Sequence, residues 1–216
     1  MSGYRRRVFP EFLRYIRRAI RFNARMSAPF VHHVRGFAVR NTTTLDTLTL
    51  LRRFASAMDD WPLDGLRVWV RASRGADYSG TCYTREGRIY INLAPRLTFP
   101  YELHVQIVPG KTTRGVWRRP TCTVAVANAY DLCTFIYLHE CYHWLIQRAR
   151  RNGRCKEAMC DRFATRHLVD ACNCTVRDAR SRPVPRSAWD IQDLDAFVAR
   201  ARRQCAPARA QCPRAI

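Results

Sequence analysis

Between Leu132 and Ile146 runs an apolar stretch that carries His139, Glu140 and His143 inside it. Such a stretch is apolar enough to be buried, and burying two imidazoles and a carboxylate without partners is costly. Residues four apart share one face of a helix, so both imidazoles can converge on a single ion that removes the cost. The segment His139-Glu140-Cys141-Tyr142-His143 is an HExxH sequence. A composition of six His and five Glu gives about 0.004 accidental matches to it in a chain of this length. Zn²⁺ is the expected metal, and Glu140, beside the first imidazole, is the expected general base acting on a metal-bound water.

A catalytic zinc takes three protein ligands and leaves its fourth position to water. A second helical stretch over 155–171 offers Glu157-Ala158-Met159-Cys160-Asp161, whose two carboxylates again share one face. One division of labour makes Glu157 the third ligand and Asp161 the acceptor for a ligand imidazole N–H. Helix geometry keeps a second one open. If the first helix runs straight over 131–151 and reverses at Gly153, Glu157 falls ~5 Å off the level of His143 and Asp161 is better placed.

The surrounding pattern predicts an α+β fold. A helix over 45–58 follows a cap at Thr42 to Thr44, with Leu45, Leu48, Leu51, Phe54 and Met58 on one stripe. Alternating or β-branched runs at 66–72, 81–85, 88–94, 101–108 and 121–127 read as five strands of a small mixed or antiparallel sheet. The helical period then returns over 131–150 and 155–171. Thr121 to Ala127, just before the His-bearing helix, reads either as an edge strand able to pair with an extended peptide or as a buried central strand.

Apolar residues at 47% and aromatics at 11% exclude disorder throughout. Charge is the abnormal quantity: 38 Lys+Arg less 17 Asp+Glu gives +21, and only Lys111 and Lys156 are lysines. Residues 1–40 hold ten cations and one acid (+9), residues 41–144 twelve and nine (+3), and residues 145–216 sixteen and seven (+9). The expected organisation is therefore a basic amphipathic N-terminal segment over 1–40, a central domain over 41–175, and a basic C-terminal helix (188–203) and tail over 176–216. In the first segment Phe9, Phe12, Leu13, Ile16 and Ile20 recur at helical spacing against Arg14, Arg17, Arg18 and Arg21. Such flanks suit nucleic acid or another polyanion as partner, while the near-absence of lysine equally fits a base-composition bias. Residues 1–30 contain no uninterrupted apolar h-region, and the 132–146 stretch is shorter than the ~20 residues of a membrane span. An intracellular protein is expected, with its ten cysteines as thiols or metal ligands rather than disulfides. Cys172 and Cys174, with Cys155, Cys160, Cys205 and Cys212, lack C-x₂-C spacing, so free thiols are preferred to a second zinc site.

Two segments, His139-Glu-Cys-Tyr-His143 and Glu157-Ala-Met-Cys-Asp161-Arg-Phe163-Ala164, resemble gluzincin-type metallopeptidases, and among them the ImmA/IrrE-like proteins, whose third-ligand segment reads E-x-x-A-[ND]-x-F-A. The resemblance covers about residues 120–170, and Cys160 stands where that group prefers Ala. It implies a zincin-like fold, His139, His143 and Glu157 on zinc, Glu140 as base, and hydrolysis of a protein or peptide substrate. His167, Tyr130 and Tyr142 are candidates for a further oxyanion donor. Two rival readings are a DNA-associated protease of the SprT-like kind, although no His-Gly segment follows His143, and a nucleic-acid-binding protein whose HExxH site is structural or inert.

Overall fold

The computed structural model describes residues 31–34, 37–58, 63–148 and 157–191. Over these residues the chain is a mixed α+β fold of three α-helices, a five-stranded mixed sheet, a three-stranded antiparallel sheet and a two-stranded hairpin. The large sheet is ordered β1 (Val31–Val34), β2 (Phe37–Asn41), β3 (Arg67–Ala72), β5 (Arg88–Leu93) and β4 (Tyr78–Tyr83). β2, β3 and β5 are parallel, while β1 and β4 run antiparallel at the two edges. A parallel pair needs a crossover, and helix α1 (Thr47–Ala57) provides it between β2 and β3. The second sheet is ordered β10 (Val176–Arg177), β9 (Cys122–Val126) and β6 (Tyr101–Val105), and β7 (Lys111–Thr113) pairs with β8 (Val116–Arg118) as a separate hairpin.

Alternation in β3 and β5 follows from one face of the large sheet packing, among the described residues, against helices. Val68, Val70, Ile89, Ile91 and Leu93 are buried on it. On the other face Trp69 stacks on Tyr90 at 5.2 Å between centroids, and the Arg71 guanidinium lies 4.3 Å from the Tyr90 ring. Helix α1 starts at a different cap from the expected threonines: Asp46 Oδ2 accepts from the Thr49 N–H at 2.7 Å, and Thr43 instead donates to Asn41 Oδ1. Leu50, Leu51 and Phe54 form its buried stripe.

Helix α2 (Ala129–Arg148) is capped by Asn128, whose Oδ1 accepts from the N–H groups of Tyr130 and Asp131, both at 3.0 Å. It is buried almost all round, as its unbroken apolar character requires, between β4 and β5 of the large sheet, α1 and helix α3 (Glu157–Cys172). β6 ends at Val105, short of the expected 108, because the chain there leaves the ladder for α3. The Gln106 N–H donates to Asp161 Oδ2 at 2.9 Å, and the Ile107 carbonyl accepts from Arg162 Nε at 2.5 Å.

Strands also form outside residues 41–175. β1 and all of β2 but its last residue, Asn41, precede residue 41, with Phe37, Ala38 and Val39 buried. Residues 176–191 also pack on the body: β10 pairs with β9, and Trp189 is buried beside the Arg166–Asp190 and Arg186–Asp170 ion pairs. The expected helix over 188–203 appears in its described part only as a 3₁₀ turn, Arg186–Ala188, and its remainder, like the amphipathic stretch 4–25, lies outside the described residues. Among the described residues no helix is long and apolar enough to cross a membrane.

Candidate metal centre

His139 and His143 occupy successive turns of α2, and their Nε2 atoms lie 3.3 Å apart. Glu157, the first residue of α3, brings its carboxylate to both: Oε2 is 3.2 Å from His139 Nε2 and Oε1 is 3.3 Å from His143 Nε2. Behind them Asp161 Oδ1 lies 3.0 Å from His139 Nδ1, and its other oxygen holds the Gln106 amide. Asp161 therefore orients the imidazole from the side opposite to Nε2. Cys160, one helical turn from Glu157, completes a compact group, with its Sγ and one ring nitrogen each of His139 and His143 all within 4.8 Å of one another.

This donor set fits a divalent metal. Zinc–nitrogen and zinc–oxygen bonds near 2.0–2.1 Å place neighbouring tetrahedral ligands ~3.3 Å apart, the spacing found among His139, His143 and Glu157. Two imidazole nitrogens facing each other at that distance share no more than one proton between them, an arrangement a cation resolves. His139, His143 and Cys160 form a group able to hold a metal ion, and Glu157 reaches Nε2 of both imidazoles.

The electrostatics follow from burial and pairing. Burial works against protonation of His139, but the hydrogen bonds to Asp161 and Glu157 outweigh it and raise the pKa to about 9. His143 is shifted down, its burial prevailing over the pull of Glu157. Glu157 is lowered chiefly by its hydrogen bond with His139, against a smaller opposing effect of burial. Glu140 is pushed up to about 7 by burial, with Glu157 adding to the rise and the neighbouring His139 opposing it.

Glu140, the two histidines and Glu157 line a cavity of about 390 Å³ whose opposite wall is β4, through Gly80, Thr81 and Cys82. The Cys82 backbone amide hydrogen-bonds the Glu140 carboxylate. Gly80 faces that carboxylate so closely that a Cβ there would overlap it and would also lie 2.8 Å from Ile136 Cγ2. Gly80 has no part in the expectations from sequence, although a glycine inside a strand marks close approach of another group. Arg162, which ties α3 to the end of β6, carries no sequence signal that sets it apart from 37 other cations.

Several expectations are corrected. Of the two readings open for residues 121–127, the central strand is the one found: β9 is flanked by β6 and β10, because two residues far along the chain, Val176 and Arg177, pair with it. The edge beside the site is β4. α2 continues five residues past His143 and Glu157 still reaches both imidazoles, so level counting along two straight antiparallel helices does not describe this pair. Tyr130, Tyr142 and His167 are absent from the cavity lining: Tyr130 accepts from the Asp46 N–H, Tyr142 packs on Phe163, and His167 lies by a different cavity with Arg52 and Asp131. Cys160 belongs to the His139 and His143 group, and among the described residues that group is the one with metal-binding spacing. No family model matches this chain, and no curated protein or solved structure matches it.

Proposed function

We propose that this protein is a zinc-dependent metallopeptidase of the gluzincin type, ImmA/IrrE-like in its motifs and zincin-like in architecture. The observation that carries the reading is the triangle of His139 Nε2, His143 Nε2 and the Glu157 carboxylate at 3.2–3.3 Å, with Asp161 behind His139. His139, His143 and Glu157 would hold zinc, and Asp161 fixes the His139 tautomer that leaves Nε2 without a proton. When bound, zinc supplies a Lewis acid and a water of lowered pKa.

The chain's own residues then account for the rest. Glu140 is the general base: it lines the cavity, and a pKa raised toward 7 suits both taking a proton from water and returning it to a leaving amine near neutral pH. β4, which has no partner on its outer side among the described residues, offers backbone groups to an extended peptide as an added antiparallel strand. Gly80 keeps that strand close to the Glu140 carboxylate.

One observation favours a second reading. Cys160 Sγ lies within 4.8 Å of a ring nitrogen of each histidine, and four protein donors, His139, His143, Glu157 and Cys160, would make a closed, structural site. Replacing Glu140 by Gln separates the two. In the peptidase, the variant keeps its zinc and loses hydrolysis of a protein substrate such as casein. In the structural reading, wild type and Glu140→Gln carry equal zinc and neither hydrolyses anything.

A further inference from the structure

The five strands of the large sheet hold four arginines and no Asp or Glu. Alternate positions along a strand share a face, and Val68, Val70, Ile89 and Ile91 take the face covered by helices. Register puts all four arginines on the other one. Arg67, Arg88 and Tyr83 stand side by side in one row, Arg40, Trp69 and Tyr90 in the next, and Arg71 beside Asn92 in the third.

The three aromatic rings of this face touch one another. Trp69 and Tyr90 stack, and Tyr83 stands at 85° to Tyr90 with 5.6 Å between centroids. Each ring carries a guanidinium: Arg67 lies 5.9 Å from the Trp69 centroid, Arg71 4.3 Å from that of Tyr90 and Arg88 5.6 Å from that of Tyr83. A guanidinium held against a ring keeps its planar fork of donors in one direction, so less freedom is lost when it meets an anion. Arg88 is paired with Glu86 of the β4–β5 turn. Arg40, Arg67 and Arg71 are exposed and form no ion pair among the described residues. Tyr83, on the edge strand, is 48% exposed.

We propose that this outer face of the large sheet binds single-stranded nucleic acid, with Tyr83 as the stacking surface for a base and Arg67, Arg40 and Arg71 on phosphates. These three cations fall in successive rows ~6.7 Å apart, two residues along a strand, a step close to that between neighbouring phosphates of an extended chain. Aromatic rings set among cations on one sheet face meet both the bases and the backbone of an unpaired strand. Duplex DNA keeps its bases stacked and gives Tyr83 no partner. An acidic peptide would satisfy the guanidiniums but brings no planar group to the ring. The inference does not rest on the zinc reading.

The test uses the full chain and fluorescence anisotropy with labelled 20-nucleotide oligo(dT) and oligo(U), a blunt duplex of equal length, and labelled polyglutamate. Wild type is expected to bind the single strands more tightly than the duplex or polyglutamate, and the tighter of the two single strands tells DNA from RNA as the ligand. Tyr83→Ala is expected to weaken that binding about tenfold, and Tyr83→Phe to retain most of it. Replacing Arg40 and Arg71 together by Ala is expected to lower the slope of log affinity against log salt by about 0.7 for each phosphate no longer neutralised. Thermal melts and the zinc content of each variant control for folding. Single strands bound as well by Tyr83→Ala as by wild type, or an unchanged salt slope in the double variant, overturn the proposal and place the affinity elsewhere on this basic chain. Absence of single-strand binding by wild type, or equal or tighter binding of duplex or polyglutamate, overturns it as well.

Discussion

The Asp161 carboxylate lies 3.0 Å from Nδ1 of His139 and accepts the Gln106 amide with its second oxygen. One side chain thus joins the end of β6 to the imidazole of α2 from a position on α3, and fixes the direction in which Nε2 points. Outer partners of this kind typically govern metal affinity by 10–100-fold. Asp161→Asn is expected to lower zinc affinity by roughly that factor while leaving the fold intact, measured by competition with a chromophoric chelator. Unchanged affinity would show that His139 is oriented by packing alone.

Gly80 gives a test of the wall opposite Glu140. Its Cβ would have to displace the Glu140 carboxylate or Ile136 Cγ2, and overpacking of this kind costs about 1–3 kcal/mol. Gly80→Ala is expected to retain zinc, melt at a lower temperature, and lose hydrolysis by tenfold or more because Glu140 is pushed from its place. A variant as active as wild type would contradict the assignment of Glu140 as base.

The metal-free protein has a distinctive pH dependence. His139 is held at about 9, above its ordinary 6.5, so the stability from its pairing with Asp161 and Glu157 is fully present below 6.5 and lost as pH rises through about 9. Glu140, raised from 4.5 to about 7, acts in the same direction at lower pH. The melting temperature of the chelator-treated protein should therefore fall between pH 6.5 and 9, and zinc affinity should rise over the same window as the competing proton leaves. A melting temperature that climbs across this window would contradict the pairing.

Much of the site is legible in the sequence because helix periodicity is local. The i, i+4 spacing of His139 with His143 and of Glu157 with Asp161 depends only on helix pitch, and α2 declares itself by an apolar run too long for a strand. What escapes the sequence depends on how elements meet. The approach of Glu157 to both imidazoles is a property of how α2 and α3 pack, which counting along straight helices misses. β9 reads as edge or centre until Val176 and Arg177, some fifty residues later, are seen to pair with it. β2 is hidden by the arginines around it, since Phe37-Ala38-Val39 is too short a run to separate from a basic segment by pattern alone. Gly80 announces that something comes close, and only the fold says that it is Glu140.

Cys160 separates an open site from a closed one. If Glu157 is the third ligand, Cys160→Ala keeps one equivalent of zinc and loses about 1 kcal/mol of stability from the small buried void. The Co²⁺-substituted wild type should then show no thiolate-to-metal charge-transfer band in the near ultraviolet. Such a band, abolished by Cys160→Ala, would make the sulfur a ligand.

The most direct test of the metal centre is elemental analysis of wild type and Glu157→Ala after equilibration with buffered zinc. One equivalent in the wild type, lost from Glu157→Ala and retained by Cys160→Ala, is the predicted result. Wild type without zinc, or zinc retained by Glu157→Ala and lost from Cys160→Ala, would contradict a centre built from two imidazoles and the first carboxylate of α3.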